Sequence, residues 1–207
     1  ADVFELQAFL GDRGLAHALA HPLHRMGPPI TASHVEQLML LFGVWEGRNG
    51  SRPRGHNELA VRLAHAATPE YLEKLSERHG MPPRHAGRIA LCGGSDDHGG
   101  LDIGTAWTEA PGRDPDRFLE DVMNGAAEPA GDHGSAEKLA HAVFSLFLNA
   151  YREREESLPA LVRETAELFD GDADDPGDRH AEISAAIGTV ARRLGQLGRA
   201  GGIDLGG

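Results

Sequence analysis

The stretch Gly93-Gly94-Ser95-Asp96-Asp97-His98-Gly99-Gly100-Leu101-Asp102-Ile103-Gly104 carries the densest group of chemistry-bearing side chains in the sequence. It follows the apolar run Ile89-Ala90-Leu91-Cys92. Asp96 and His98 stand two apart, so an extended backbone points both side chains to the same face. Carboxylate oxygen and imidazole nitrogen are donors that zinc, manganese or iron accept, and the glycines let the backbone turn tightly beside an ion. The same residues also make a polar loop in which Asp97 and Asp102 cap turns. A second group is His17, His21, Pro22 and His24. On a strand over residues 15–21, His17 and His21 share a face and His21 sits at the carboxyl end. A helix would also put them on one face, so the spacing leaves both open. The third group is Glu46 with Arg48, Asn49 and Arg52. Glu46 could orient a histidine ligand, and Arg48 or Arg52, with Asn49, could hold an anionic substrate; the alternative is a solvated loop.

The elements that must position these groups are legible from period and punctuation. A helix is expected over residues 2–12, then a strand over 15–21 ended by Pro22. Ser33 and Glu36 form a capping box ahead of a helix with Val35, Leu38, Met39 and Phe42 on one face. Val44-Trp45-Glu46 reads as a second strand. Residues 56–79 read as two helical pieces divided at Thr68 and Pro69, and Ile89-Ala90-Leu91-Cys92 as a third strand. This order predicts an α/β layer or barrel with parallel strands, each followed at the same end by polar residues. Beyond Pro111 three helical stripes follow. The first is Leu139, Ala142, Val143, Leu146, Phe147, Ala150 and Tyr151, from a helix starting near Ser135. The second is Leu158, Leu161, Val162, Thr165 and Leu168, and the third Ile183, Ile187, Val190, Leu194 and Leu197. An acidic, glycine-rich loop over 171–178 and a glycine-rich tail complete the chain.

Composition narrows the classes of function. The 207 residues suffice for one domain or a domain with a helical attachment, and a single cysteine, Cys92, excludes an intrachain disulfide scaffold. No apolar run is long enough to cross a bilayer, and the start lacks a basic segment followed by an apolar stretch, which makes a cytoplasmic location the expectation and a membrane partner none. A formal charge of −12 disfavours nucleic acid as a partner. Twelve histidines are the more informative surplus.

His21-Pro22 after one strand, Glu46 to Asn49 after the next, and Gly94-Ser95-Asp96-Asp97-His98 after another resemble the later motifs of the polymerase and histidinol phosphatase (PHP) superfamily. Leu101 through Thr108, and Gly131-Asp132-His133-Gly134-Ser135 ahead of Lys138-Leu139-Ala140-His141, extend the likeness to about residue 155. The resemblance implies part of a distorted seven-stranded β/α (TIM-like) barrel with additional C-terminal helices: a partial barrel over 1–130, a helical extension over 131–199 and a tail over 200–207. It implies that His21, Asp96 and His98 are metal ligands, with Glu46 as support and Arg48, Asn49 and Arg52 against substrate. His24 and His133 are candidates for the rim. The implied activity is metal-dependent hydrolysis of a small phosphorylated substrate, with zinc, manganese or iron as cofactor.

Members of that superfamily begin with a strand bearing His-x-His and go on to a bridging glutamate; this sequence contains no His-x-His. The expectation is therefore a centre incomplete as this chain, a fragment completed by an N-terminal segment or a second chain. The alternative is a noncatalytic PHP-like assembly or regulatory module, or a piece of a multidomain enzyme.

Overall fold

The computed structural model describes residues 2–24, 27, 29–153, 180–189 and 192. The stripe from Leu158 to Leu168, the acidic loop, the tail and most of the last stripe lie outside the described residues. The chain divides into two compact units, Ala1–Asp96 with Ile103–Gly134, and Asp97–Asp102 with Ser135–Gly207. The short segment Asp97–Asp102 belongs with the helices rather than with the strands.

In the first unit, α1 (Val3–Asp12) is capped by Asp2, whose carboxylate accepts from the Phe4 and Glu5 amides. The next helix, α2 (Ala32–Leu41), begins two residues before the expected capping box. Thr31 Oγ1 accepts the His34 amide, and His34 Nδ1 accepts the Thr31 amide. Glu36 is thereby released to pair with Arg78 at 2.6 Å and His79 at 2.7 Å. Those residues end α4 (Pro69–His79), so this one carboxylate ties two helices together. The break between α3 (Arg54–Ala66) and α4 falls at Thr68, whose hydroxyl accepts the Tyr71 amide, with Pro69 in the first turn.

Strands β1 (Val44–Asn49) and β2 (Ala90–Gly94) pair in parallel, joined by the α3–α4 crossover that parallel pairing requires. Their register pairs Val44 with Ala90 and Asn49 with Gly94, with an irregularity between Glu46 and Arg48. The expected strand over 15–21 reduces to a single parallel bridge, Leu19 with Trp45, made by the Leu19 amide on the Val44 carbonyl and the Glu46 amide on the Leu19 carbonyl. Pro22 and the left-handed backbone of His21 end it there. The core lies where β1 meets the helices: Trp45 and Leu75 are fully buried among Met39, Leu40, Leu41, Phe42, Ala64, Ala67, Leu72 and Ile89.

A second sheet, unforeseen in the sequence, pairs β3 (Ala106–Glu109) antiparallel with β4 (Glu128–Gly131) around α5 (Pro115–Asn124). Thr108 locks β3 to β2, its hydroxyl accepting the Gly93 amide and donating to the Gly93 carbonyl, both at 2.8 Å. Gly93 is obligatory at this approach, because a Cβ there would collide with the Trp107 carbonyl. Arg48 donates to the Gly131 carbonyl, holding β4 near the end of β1.

The TIM-like barrel expected from the resemblance is not formed. The described residues make an α/β arrangement of seven helices and two small sheets of two strands each. Only β1 and β2 continue the parallel pattern as strands; the next element, β3, pairs antiparallel with β4, which closes off further parallel growth.

The second unit contains α6 (Ala136–Glu153) and a helix over residues 180–189, here α7. Ser135 caps α6 by accepting the Lys138 amide. Part of the expected apolar stripe of α6 is exposed; the side chains of Phe147, Ala150 and Tyr151 lie outside the described residues. Leu139, Val143 and Leu146 are exposed, whereas His141, Phe144 and Ser145, at the same helical spacing, are buried. On α7, Ile183 and Ile187 are buried as their spacing predicts. Among the described residues, no helix is long and apolar enough to cross a membrane.

Candidate functional site

At the carboxyl ends of Leu19, β1 and β2 the first unit gathers His21, Glu46, Asn49, Arg52 and Asp96. The Glu46 carboxylate accepts the His21 amide at 2.7 Å and the Asn49 side-chain amide at 2.8 Å. Asn49 Nδ2 also donates to Asp96 Oδ2 at 3.1 Å, and Arg52 reaches the same oxygen at 3.1 Å. Ser51 donates to the Asp96 carbonyl at 2.6 Å. His21 and Asp96 are the two described non-glycine residues with positive φ, +30° and +47°. Left-handed backbone in residues bearing a Cβ is strained, and such strain concentrates at functional sites.

Asn57 underpins this end from α3. Its Oδ1 accepts the Asn49 amide at 3.2 Å, which fixes the orientation of the side chain. Nδ2 then faces the Asn49 carbonyl at 2.9 Å, the Arg52 carbonyl at 3.3 Å and His133 Nδ1 at 2.9 Å. His133 Nδ1 must therefore be the acceptor, with its proton on Nε2. The neighbouring Gly134 amide donates to the Arg52 carbonyl.

Electrostatics agree with these contacts. Burial opposes ionisation of Asp96, but hydrogen bonds from Asn49 and Arg52 and the guanidinium charge outweigh it, holding the carboxyl below its usual range. His24, its ring 5.1 Å from that of His21, is biased toward the neutral form by burial and then by the Arg52 charge. His21, His24, Arg52, His56 and Asn57 line a cleft of about 10 Å³, room for one water or ion. Burial, and then the Glu46 charge, pushes the Cys92 thiol up to about 11, which leaves it unreactive as a nucleophile. A larger cleft of about 750 Å³ opens at the other ends of the strands, lined by His17, His65, Arg84 and His85; it parts His17 from His21 and holds none of the residues gathered around Asp96.

His133 is pressed toward neutrality by burial, then by Arg48 and Arg54, against weaker opposition from Glu58 and Asp132. Its folded pKa lies below the ordinary 6.5. The stabilising contribution is thus complete above that value and is lost as pH falls through it toward the folded pKa. Denaturation at pH 7.5 and pH 5.5 should show a larger loss for the wild type than for His133→Gln. Equal losses would remove the Asn57–His133 contact from the account.

His21, Glu46, Asn49, Arg52 and Asp96 are thus brought together, while Arg48 is directed at the Gly131 carbonyl instead. His98 lies in the other unit, in the Asp97–Asp102 segment. His21 and Asp96 have the right donor chemistry for a divalent ion, but two donors fall short of the usual three or four, and the Asp96 oxygen already carries a guanidinium.

The sequence reading missed a second group. Within the second unit, Asp102, His141 and His180 place one ligand atom each within 4.8 Å of one another and could hold a metal ion. Asp102 and His141 are buried. Asp102 Oδ2 lies 3.0 Å from His141 Nδ1, and His141 Nε2 lies 2.8 Å from Ser184 Oγ. Asp97 folds the segment before it, its carboxylate accepting the amides of Gly99, Gly100 and Asp102, which is the turn-capping role expected of it. In the sequence, Asp102 stands as a turn cap and His141 at the end of the motif beginning at Gly131, and no spacing joins either to His180. No family model, curated protein or solved structure matches this chain.

Proposed function

We propose that the chain carries part of a metal-dependent centre that hydrolyses a small phosphorylated substrate, as the PHP resemblance implies. The observation that supports it is the convergence of His21, Glu46, Asn49, Arg52 and Asp96 at one end of the parallel strands, with strained backbone at both His21 and Asp96. His21 and Asp96 are the donors toward zinc, manganese or iron, and further donors come from outside this cluster, from another segment or a second chain. A divalent ion at such a place supplies Lewis acidity toward phosphoryl oxygens.

The chain's own groups have separable tasks. Glu46 fixes the backbone of His21 and, through Asn49, the direction of the Asp96 carboxylate. Arg52, at the mouth of the cleft it shares with His24 and His56, supplies the positive charge and hydrogen-bond donors for an anionic group. An anionic substrate would draw the Arg52 guanidinium away from Asp96, leaving that carboxylate oxygen open as a donor.

A noncatalytic module is the second reading, favoured by the guanidinium already seated on Asp96. Hydrolysis of p-nitrophenyl phosphate, assayed with added zinc, manganese or iron, separates the two. The catalytic reading expects turnover that Asp96→Asn and His21→Ala each lower about 100-fold, with folding checked by circular dichroism. Turnover unchanged by both substitutions, or absent with every metal, would leave the module.

A further inference from the structure

We infer that Asp102, His141 and His180 form a second metal site, separate from the His21–Asp96 cluster, which binds one divalent ion of the zinc and iron class and clasps three distant segments of the helical unit. The donor set is two imidazoles and a carboxylate, a combination that both zinc and non-haem iron accept. Its spacing fits an ion. Donors about 2.1 Å from a tetrahedral centre stand about 3.4 Å apart. Here one ligand atom from each residue lies within 4.8 Å of the others; His180 Nε2 is 3.6 Å from Asp102 Oδ1, while His141 Nδ1 is at hydrogen-bond distance, 3.0 Å, from Asp102 Oδ2, a contact that an ion would replace. The 3.6 Å separation is too long for a hydrogen bond and close to the distance between two ligands of one ion.

The surroundings complete the argument. If His141 ligates through Nδ1, its proton must sit on Nε2, and Ser184 Oγ lies 2.8 Å from that nitrogen in position to accept it. A ligating histidine held through its other nitrogen is the arrangement that fixes the ring for a metal. Asp102 is 4% exposed and His141 is 1% exposed, so a carboxyl group and an imidazole, both of ligand type, are buried side by side with His180 at their edge. His180 is 42% exposed in its side chain and provides the route of entry from solvent. The three ligands come from the Asp97–Asp102 loop, from α6 and from the start of α7. An ion would therefore cross-link the unit and couple its stability to metal.

The test uses the full chain, stripped with a chelator and titrated with cobalt(II), whose visible absorption reports a tetrahedral or five-coordinate nitrogen–oxygen site. The wild type should bind an equivalent that raises the melting temperature by about 5–10 °C at a hundredfold excess over Kd. His180→Ala, at a half-exposed position, should lose that equivalent and the thermal shift while remaining folded. Ser184→Ala should keep the stoichiometry and weaken binding about 10-fold or more, a change that loss of a merely structural hydroxyl would not produce. His21→Ala should leave the His180-dependent equivalent intact, so this site and the phosphoesterase reading stand or fall separately. Elemental analysis of the untreated protein distinguishes zinc from iron. Identical cobalt isotherms for the wild type and His180→Ala would overturn the inference.

Discussion

Replacing Asn57 by alanine is expected to lower the unfolding free energy by about 3 kcal/mol. Asn57 is 4% exposed, and one side chain serves both the amide and the carbonyl of Asn49, the carbonyl of Arg52 and the ring of His133. Alanine cannot replace any of these, and the Asn49 amide would be left buried without its acceptor. Such an orphan costs more than the hydrogen bond it once made was worth, because its desolvation is no longer offset. The loss should also reach the site, since Asn49 and Arg52 are the groups that hold Asp96. Any Asp96-dependent turnover should fall with it, about 10-fold or more. Urea denaturation checks the first expectation; a change under 0.5 kcal/mol would mean that water or a shifted backbone replaces the side chain.

Trp45→Ala should cost about 4 kcal/mol, the range for emptying a large aromatic site in a closed core. Trp45 is fully buried, packed among residues of α2, α3 and α4, and it is also the residue of β1 that bridges to Leu19. A conservative control sharpens the expectation. The indole Nε1 is buried without a hydrogen-bond partner among the described residues. Trp45→Phe therefore loses volume but removes an unsatisfied donor, and should cost only about 1–2 kcal/mol. If the phenylalanine variant proves no more stable than the alanine variant, retained ring volume is not what matters at this position and the packing account fails.

How much of this was legible beforehand depended on how local the determining interaction was. The division of α3 from α4 is written in Thr68 and Pro69, because a cap and a first-turn proline act within four residues. Strands β1 and β2 announce themselves as apolar runs ending in polar residues. The capping box of α2 was misplaced by two residues because Thr31 with His34 and Ser33 with Glu36 satisfy the same spacing. Glu36 was instead taken up by Arg78 and His79 of another helix, which local sequence does not display.

The two candidate sites show the same divide. That His21, Glu46, Asn49, Arg52 and Asp96 would share one end followed from parallel strands with polar residues at their carboxyl termini, a pattern each strand carries alone. That Arg48 would turn to the Gly131 carbonyl depended on β4, which had no strong sequence signal: four residues, one of them proline.

By itself, then, the sequence determined the division of α3 from α4, the apolar runs that become β1 and β2, and which polar side chains follow them. These are decided by backbone hydrogen bonding and side-chain periodicity within a few residues. Only the tertiary structure decided that two parallel strands and an antiparallel pair form instead of a barrel, since strand partners are chosen by edges far apart in the chain. It alone chose the His141–Phe144–Ser145 face of α6 for burial over the more apolar Leu139–Val143–Leu146 face. The reason is that a buried imidazole is tolerable when distant partners meet its nitrogens, even though Ser145 Oγ on the same face is buried without a hydrogen-bond partner among the described residues. Here Asp102 and Ser184, on either side of His141 in sequence, meet its two ring nitrogens.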